Sequence, residues 1–101
     1  MNYSLPTRLV DGFVKNLPNR VASFRVFYQE SNWDQLGRIA HQLKGSAGSY
    51  GFPDLGDIAG KIEGACTHSS PDVEILIGQL ESICESIIQG RQQHEKTESQ
   101  K

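Results

Sequence analysis

No stretch of this 101-residue chain approaches the roughly 20 consecutive apolar residues that cross a bilayer. Basic blocks are missing too. Ten Lys and Arg stand against twelve Asp and Glu, a formal charge of -2, which argues against avid binding to nucleic acid or an anionic membrane. The N-terminus lacks the charged-then-apolar design of a secretory signal. Cysteine is scarce. Cys66 and Cys84 fall on apolar helical faces by spacing, where free cysteine packs as a small hydrophobe, and a disulfide between them is not expected without a sign of export. These absences together point to a cytoplasmic protein. No run alternates apolar and polar residues as a half-buried strand does. There is also no Gly-x-x-x-x-Gly-Lys-[Ser/Thr] phosphate loop, because Lys44 precedes its glycines rather than following them.

What remains is helical pattern almost throughout. Pro6 opens a first segment carrying Leu9, Val10, Phe13, Val14 and Leu17. Pro18 then either opens a second helix or kinks a continuous one; Val21, Phe24, Phe27 and Tyr28 supply the buried side beyond it. Asn32 caps the next helix, with Gln35 in place to complete a capping box. Pro53 suits the first turn of a helix bearing Leu55, Ile58, Ala59, Ile62 and Cys66. Ser70-Pro71 reads as cap and first position of a last helix with Val73, Leu76, Ile77, Leu80, Ile83, Cys84, Ile87 and Ile88 inward. Short links between amphipathic helices favour an antiparallel bundle. The expected fold is therefore all-α: an antiparallel four-helix bundle with an additional short N-terminal helix. It occupies 1–90 as one domain, and 91–101, wholly polar after Gly90, forms a tail or linker.

One stretch departs from ordinary bundle chemistry. Apolar residues at Trp33, Leu36, Ala40, Leu43, Ala47 and Tyr50 alternate three and four apart, the rhythm of a helix with one buried face. His41 lies about 130° from the centre of that stripe, on the wet side. Gly37, Lys44, Gly45 and Gly48 share its face, since residues three or four apart are helical neighbours. Side chains lean toward the helix N-terminus, so a bulky residue at 45 would reach back over the imidazole. Gly-Ser-Ala-Gly-Ser-Tyr-Gly also reads as a loop on residue types alone. The rhythm continuing through Ala47 and Tyr50 favours helix, with its end at Gly51. Three interior glycines then cost roughly 2–3 kcal/mol in all.

The run His41-x-Leu43-Lys44-Gly45-Ser46-Ala47-x-x-x-Gly51, followed by Leu55 and by Ile62-Glu63, closely resembles the signature of histidine-containing phosphotransfer (HPt) domains, the helical-bundle carriers of phosphorelays. The resemblance extends roughly from Phe13 to Gln89, with no departure at the central positions. It implies that His41 accepts a phosphoryl group from a receiver-domain aspartate or a kinase and passes it to another receiver aspartate. An exposed imidazole can present a neutral nitrogen near pH 7 without special tuning. Phosphoryl transfer runs through a loose, in-line transition state, so position and charge matter most. Lys44, one turn on, is placed to put an ammonium near the phosphoryl oxygens; Ser46 is a motif position with a spacing role. Glu63, at the rim of its helix about 80° from the apolar stripe, is the candidate to hold one ring nitrogen. The reactive atom would then be Nε2, with Nδ1 facing the protein.

By the same resemblance the partners are a response-regulator receiver domain, a hybrid sensor histidine kinase, or both. Mg²⁺ is expected from the receiver, and no cofactor of this chain's own. Docking is expected on the glycine-rich face (Gly37, Gly45, Gly48), with Arg38 and Gln42 at the rim. A monomer without ATP-dependent kinase activity follows. The alternative is a non-catalytic helical interaction module in which His41 is incidental. An RNA-binding KH-like module would use Gly45-Ser46-Ala47-Gly48 as its Gly-x-x-Gly loop, but it needs a sheet and a positive surface that the chain lacks. Cys66, His68, His41 and His94 have no spacing that puts three ligands on one face. Gly56, Gly60 and Gly64 recur every fourth residue without an evident purpose.

Overall fold

The computed structural model describes the backbone of residues 5–99 and the side chains of residues 5–91. Among them are four helices and no strand: α1 (Thr7–Gln29), α2 (Trp33–Tyr50), α3 (Pro53–Cys66) and α4 (Asp72–Ser99). They close a ring in which α1 packs on α2 and α4, and α3 packs on the same two. Leu17 and Phe24, Leu36 and Leu43, Leu55 and Ile62, and Ile77 and Leu80 bring two fully buried side chains from each helix to the common core. Among the described residues no polar or charged residue is buried.

The first three helices end in one way. Ser31, Gly51 and Ser69 take left-handed backbone, with φ of 55°, 88° and 47°. The next amide in each case donates back five residues: Asn32 to Phe27 (2.9 Å), Phe52 to Ala47 (2.9 Å) and Ser70 to Ala65 (3.2 Å). These are Schellman closures, which satisfy carbonyls that a helix end otherwise leaves bare. Gly51 adopts this conformation without a Cβ penalty, which is why the motif run stops there. At the start of α2 the Asn32 side chain accepts from the Gln35 amide at 3.3 Å. The other half of the capping box does not form, because the Asn32 amide is committed to Phe27. Pro53 takes the first turn of α3, and Ser70 Oγ accepts from the Asp72 amide ahead of α4.

Two boundaries differ from the sequence reading. The separate short N-terminal helix does not form, since α1 runs unbroken through Pro18. Proline inside a helix costs about 3 kcal/mol, but the inward stripe continues across it. Leu17 and Phe24, on either side, are each essentially sealed from solvent, and each burial contributes about 1.5–3 kcal/mol. Past Gly90, where the sequence places the end of the bundle, α4 continues as helix to Ser99. Gln, Glu, Lys and Arg favour helix even without a buried stripe, and Arg91 pairs with Asp11 of α1. Gln100 and Lys101 lie outside the described residues.

Candidate functional site

The burial pattern of α2 sets the site. Leu36, Ala40, Leu43 and Ala47 are fully buried, which turns the opposite side of the helix to solvent. Residues 45–51 are helix up to Tyr50, so the loop reading fails and the glycine cost is incurred. His41 stands on the wet side with 71% of its side chain exposed. A Cβ built on Gly45 or Gly48 would meet nothing within 4 Å. The imidazole therefore sits on an open surface with nothing above it.

The ring is nonetheless held. Its Nδ1 lies 2.8 Å from Glu63 Oε2 on α3. An ionised carboxylate only accepts, so Nδ1 must carry the proton in this contact. A neutral imidazole with Nδ1–H leaves the lone pair on Nε2, and Nε2 is the nitrogen turned away from the protein's own partner. Glu63 is shared, because its Oε1 lies 3.8 Å from Lys44 Nζ. The carboxylate thus draws together a histidine and a lysine one helical turn apart. It is one-third exposed, and Lys44 is about half exposed.

Beside the ring runs an open groove of about 380 Å³, lined by Trp33, Gly37, Arg38, His41, Glu63 and Cys66. Sequence reasoning placed Trp33 and Cys66 on apolar stripes, and it set Cys66 beside His41 only in a metal-ligand set that it rejected. Each sits at a stripe edge, where an element turns from core to surface. Burial, and then the nearby Glu63 carboxylate, push the Cys66 thiol up from its ordinary range. It stays a thiol at neutral pH and offers no competing nucleophile.

The five docking candidates do not form one set. Gly37 and Arg38 line this groove, and a Cβ on Gly37 would already touch Cys66 Cβ at 3.6 Å. Gly45 and Gly48 lie in the open. Gln42 belongs elsewhere, to a smaller cavity of about 190 Å³ between α1 and α2 that Asn16, Arg20 and Ser23 also line. No group of three or more His, Cys, Asp or Glu among the described residues is placed to hold a metal ion. The side chain of His94 lies outside those residues. Cys66 and Cys84 are free and buried. No described helix is long and apolar enough to cross a membrane.

A hydrogen-bonded imidazole with one nitrogen open, a flanking ammonium and a cleared surface can act as a nucleophile toward a group carried by another macromolecule. The family model for the Hpt domain matches residues 8–96. No curated protein and no solved structure matches the chain.

Proposed function

Since the chain belongs to the Hpt domain family, whose members work with receiver domains and kinases in two-component phosphotransfer, we propose that it is a phosphorelay carrier with His41 as the phosphoryl acceptor. The observation that carries this is the 2.8 Å contact between His41 Nδ1 and Glu63 on an otherwise open face. In the step we propose, the Nε2 lone pair attacks the phosphorus of an aspartyl phosphate on a receiver. An N–P bond forms as the P–O bond breaks, and the aspartate leaves as carboxylate with the electron pair. Positive charge develops on the ring, and Glu63, held at Nδ1–H, opposes it. Lys44 offsets the charge on the phosphoryl oxygens. The loose transition state asks for little beyond this positioning and neutralisation. Return of the group to a second receiver is the same step reversed.

The chain is then not an ATP-dependent kinase, and the Mg²⁺ of the reaction is assigned to the receiver. Docking uses the open side around Gly45 and Gly48 and the groove at Gly37 and Arg38, while Gln42, turned toward α1, lies off this surface. We take the protein as a cytoplasmic monomer and the bundle as antiparallel, which the short links Glu30–Asn32, Gly51–Phe52 and Thr67–Pro71 support.

Incubation with a phosphorylated receiver tests the proposal. The wild type should become labelled and His41→Gln should not, and NMR of the product should place phosphorus on Nε2. Label that persists in His41→Gln would remove His41 as the acceptor, a wild type that takes no label would leave only the non-catalytic interaction module, and phosphate on Nδ1 would contradict the role given to Glu63.

A further inference from the structure

The three glycines of α3 spaced four apart have three different surroundings. At Gly56 the two helices meet backbone to backbone: a Cβ there would lie 3.4 Å from the Lys44 carbonyl oxygen and 3.8 Å from Ala47 Cβ. At Gly64 it would meet nothing within 4 Å. Gly60, between them, faces one thing only. A Cβ at 60 would lie 3.4 Å from Lys44 Cδ and 3.8 Å from Lys44 Cε, with no other atom within 4 Å.

The methylenes of Lys44 therefore cross α3 over the bare α-carbon of Gly60. Beyond that crossing the chain ends at Nζ, 3.8 Å from the Glu63 oxygen that His41 leaves free. Lys44 leans from α2 toward the N-terminal side, as helical side chains do, and that is the side on which His41 sits. Apart from this seat the lysine is about half exposed, and a long side chain in solvent has many rotamers to choose from.

We propose that Gly60 is a positioning residue, its missing side chain forming the seat that directs Lys44 Nζ to the Glu63–His41 pair. The inference rests on the phosphotransfer reading and deepens it. It also sets a size limit. A methyl group at 60 would just touch the stem at 3.4 Å, an ordinary contact that leaves the lysine in place. A branched or longer side chain would occupy the path of the stem and turn the ammonium out into solvent.

The experiment measures phosphoryl transfer from a phosphorylated receiver at saturating concentration, for variants whose folding is checked by thermal melting. Gly60→Ala should transfer at the wild-type rate and melt higher, since alanine favours helix over glycine. Gly60→Leu, which keeps helix propensity, and Gly60→Val should each slow transfer by the same factor as Lys44→Ala. That factor is roughly fivefold, the upper range of an exposed charge pair. In the Lys44→Ala background Gly60→Leu should slow transfer no further, a coupling that a merely structural role would not produce. Wild-type transfer by Gly60→Leu, or losses that multiply in the double variant, would overturn the assignment. A wild-type protein that takes no label would instead overturn the phosphotransfer reading beneath it.

Discussion

Glu63 and Glu81 each join two helices through a 2.8 Å contact, and they are exposed to a similar degree, 33% and 39%. Their partners differ in what is left over. Glu81 on α4 takes Arg25 of α1 through two donors, Nε at 2.9 Å and Nη2 at 2.8 Å. A guanidinium is always charged, and its fork bound in this way has one arrangement and no chemistry to offer. Glu63 takes only one nitrogen of His41, and the other keeps a lone pair in solvent. Two interhelical carboxylate contacts of equal length thus separate a strut from a reactive site, and the unspent valence of the partner is what distinguishes them. The surfaces around them agree with this division. Gly45 and Gly48 keep the α2 side bare, whereas Tyr28, one turn beyond Arg25 on α1, packs edge-on against Trp33 with ring centroids 5.8 Å apart.

The largest effect should come from His41→Gln. Label from a phosphorylated receiver should fall to background, while unfolding free energy stays within about 0.5 kcal/mol of wild type, as for an exposed substitution that touches no packing. A large loss of stability would mean that the ring is a structural element after all, and the contrast with Arg25 would disappear. Leu80→Ala is the converse. Leu80 is fully buried on α4, so truncation should cost about 2–5 kcal/mol while the folded fraction transfers at the wild-type rate.

Glu63→Ala comes next and sharpens the comparison most. With no carboxylate at Nδ1 the ring is free to turn and to change tautomer, and transfer should slow about 10–100-fold, the range seen when such orienting partners are removed. Glu63→Gln should lose less, because its amide oxygen still accepts from Nδ1–H and only the negative charge is gone. Single-turnover kinetics with both variants measure the two contributions separately. Equal rates in the two would show that the negative charge carries the whole effect and that orientation adds nothing to it.

The contrast between these carboxylates was half legible in the residues. His41 on a bare helical face, Glu63 at a helix rim and the stop at Gly51 all follow from 3.6-residue periodicity and from the few residue types that cap helices. Periodicity names a face but not what crosses it, so Gly60 stood out without its lysine, and the pairing of Arg25 with Glu81, 56 residues away, left no mark at all. Gln42 shows the same limit from the other side. It adjoins His41 in sequence, yet one residue is about 100° of helix, enough to turn it toward α1 and Arg20. Pro18 resisted reading because the competing terms, one lost hydrogen bond against the burial of Leu17 and Phe24, belong to different levels of structure. Past Gly90 the apolar stripe, the signal being followed, ends before the helix does.

The smallest effect expected is the worth of the strut itself. The hydrogen bond from Arg25, and after it the guanidinium charge, hold the Glu81 carboxyl below the usual glutamate range against the opposing pull of desolvation. A carboxyl whose folded pKa is depressed stabilises the fold above its unfolded value and loses that contribution as pH falls through the folded one. Both partners are about a third exposed, so solvent screening limits the contribution to about 0.2–1 kcal/mol at neutral pH. Glu81→Gln should therefore unfold at slightly lower urea than wild type at pH 7. The gap should shrink below the ordinary glutamate pKa of about 4.3 and also in high salt. Its phosphotransfer at pH 7 should equal wild type, because Glu81 holds a side chain that has nothing to give. A transfer defect in folded Glu81→Gln would break the comparison, since it would show the α1–α4 strut acting on the α2–α3 face across the core.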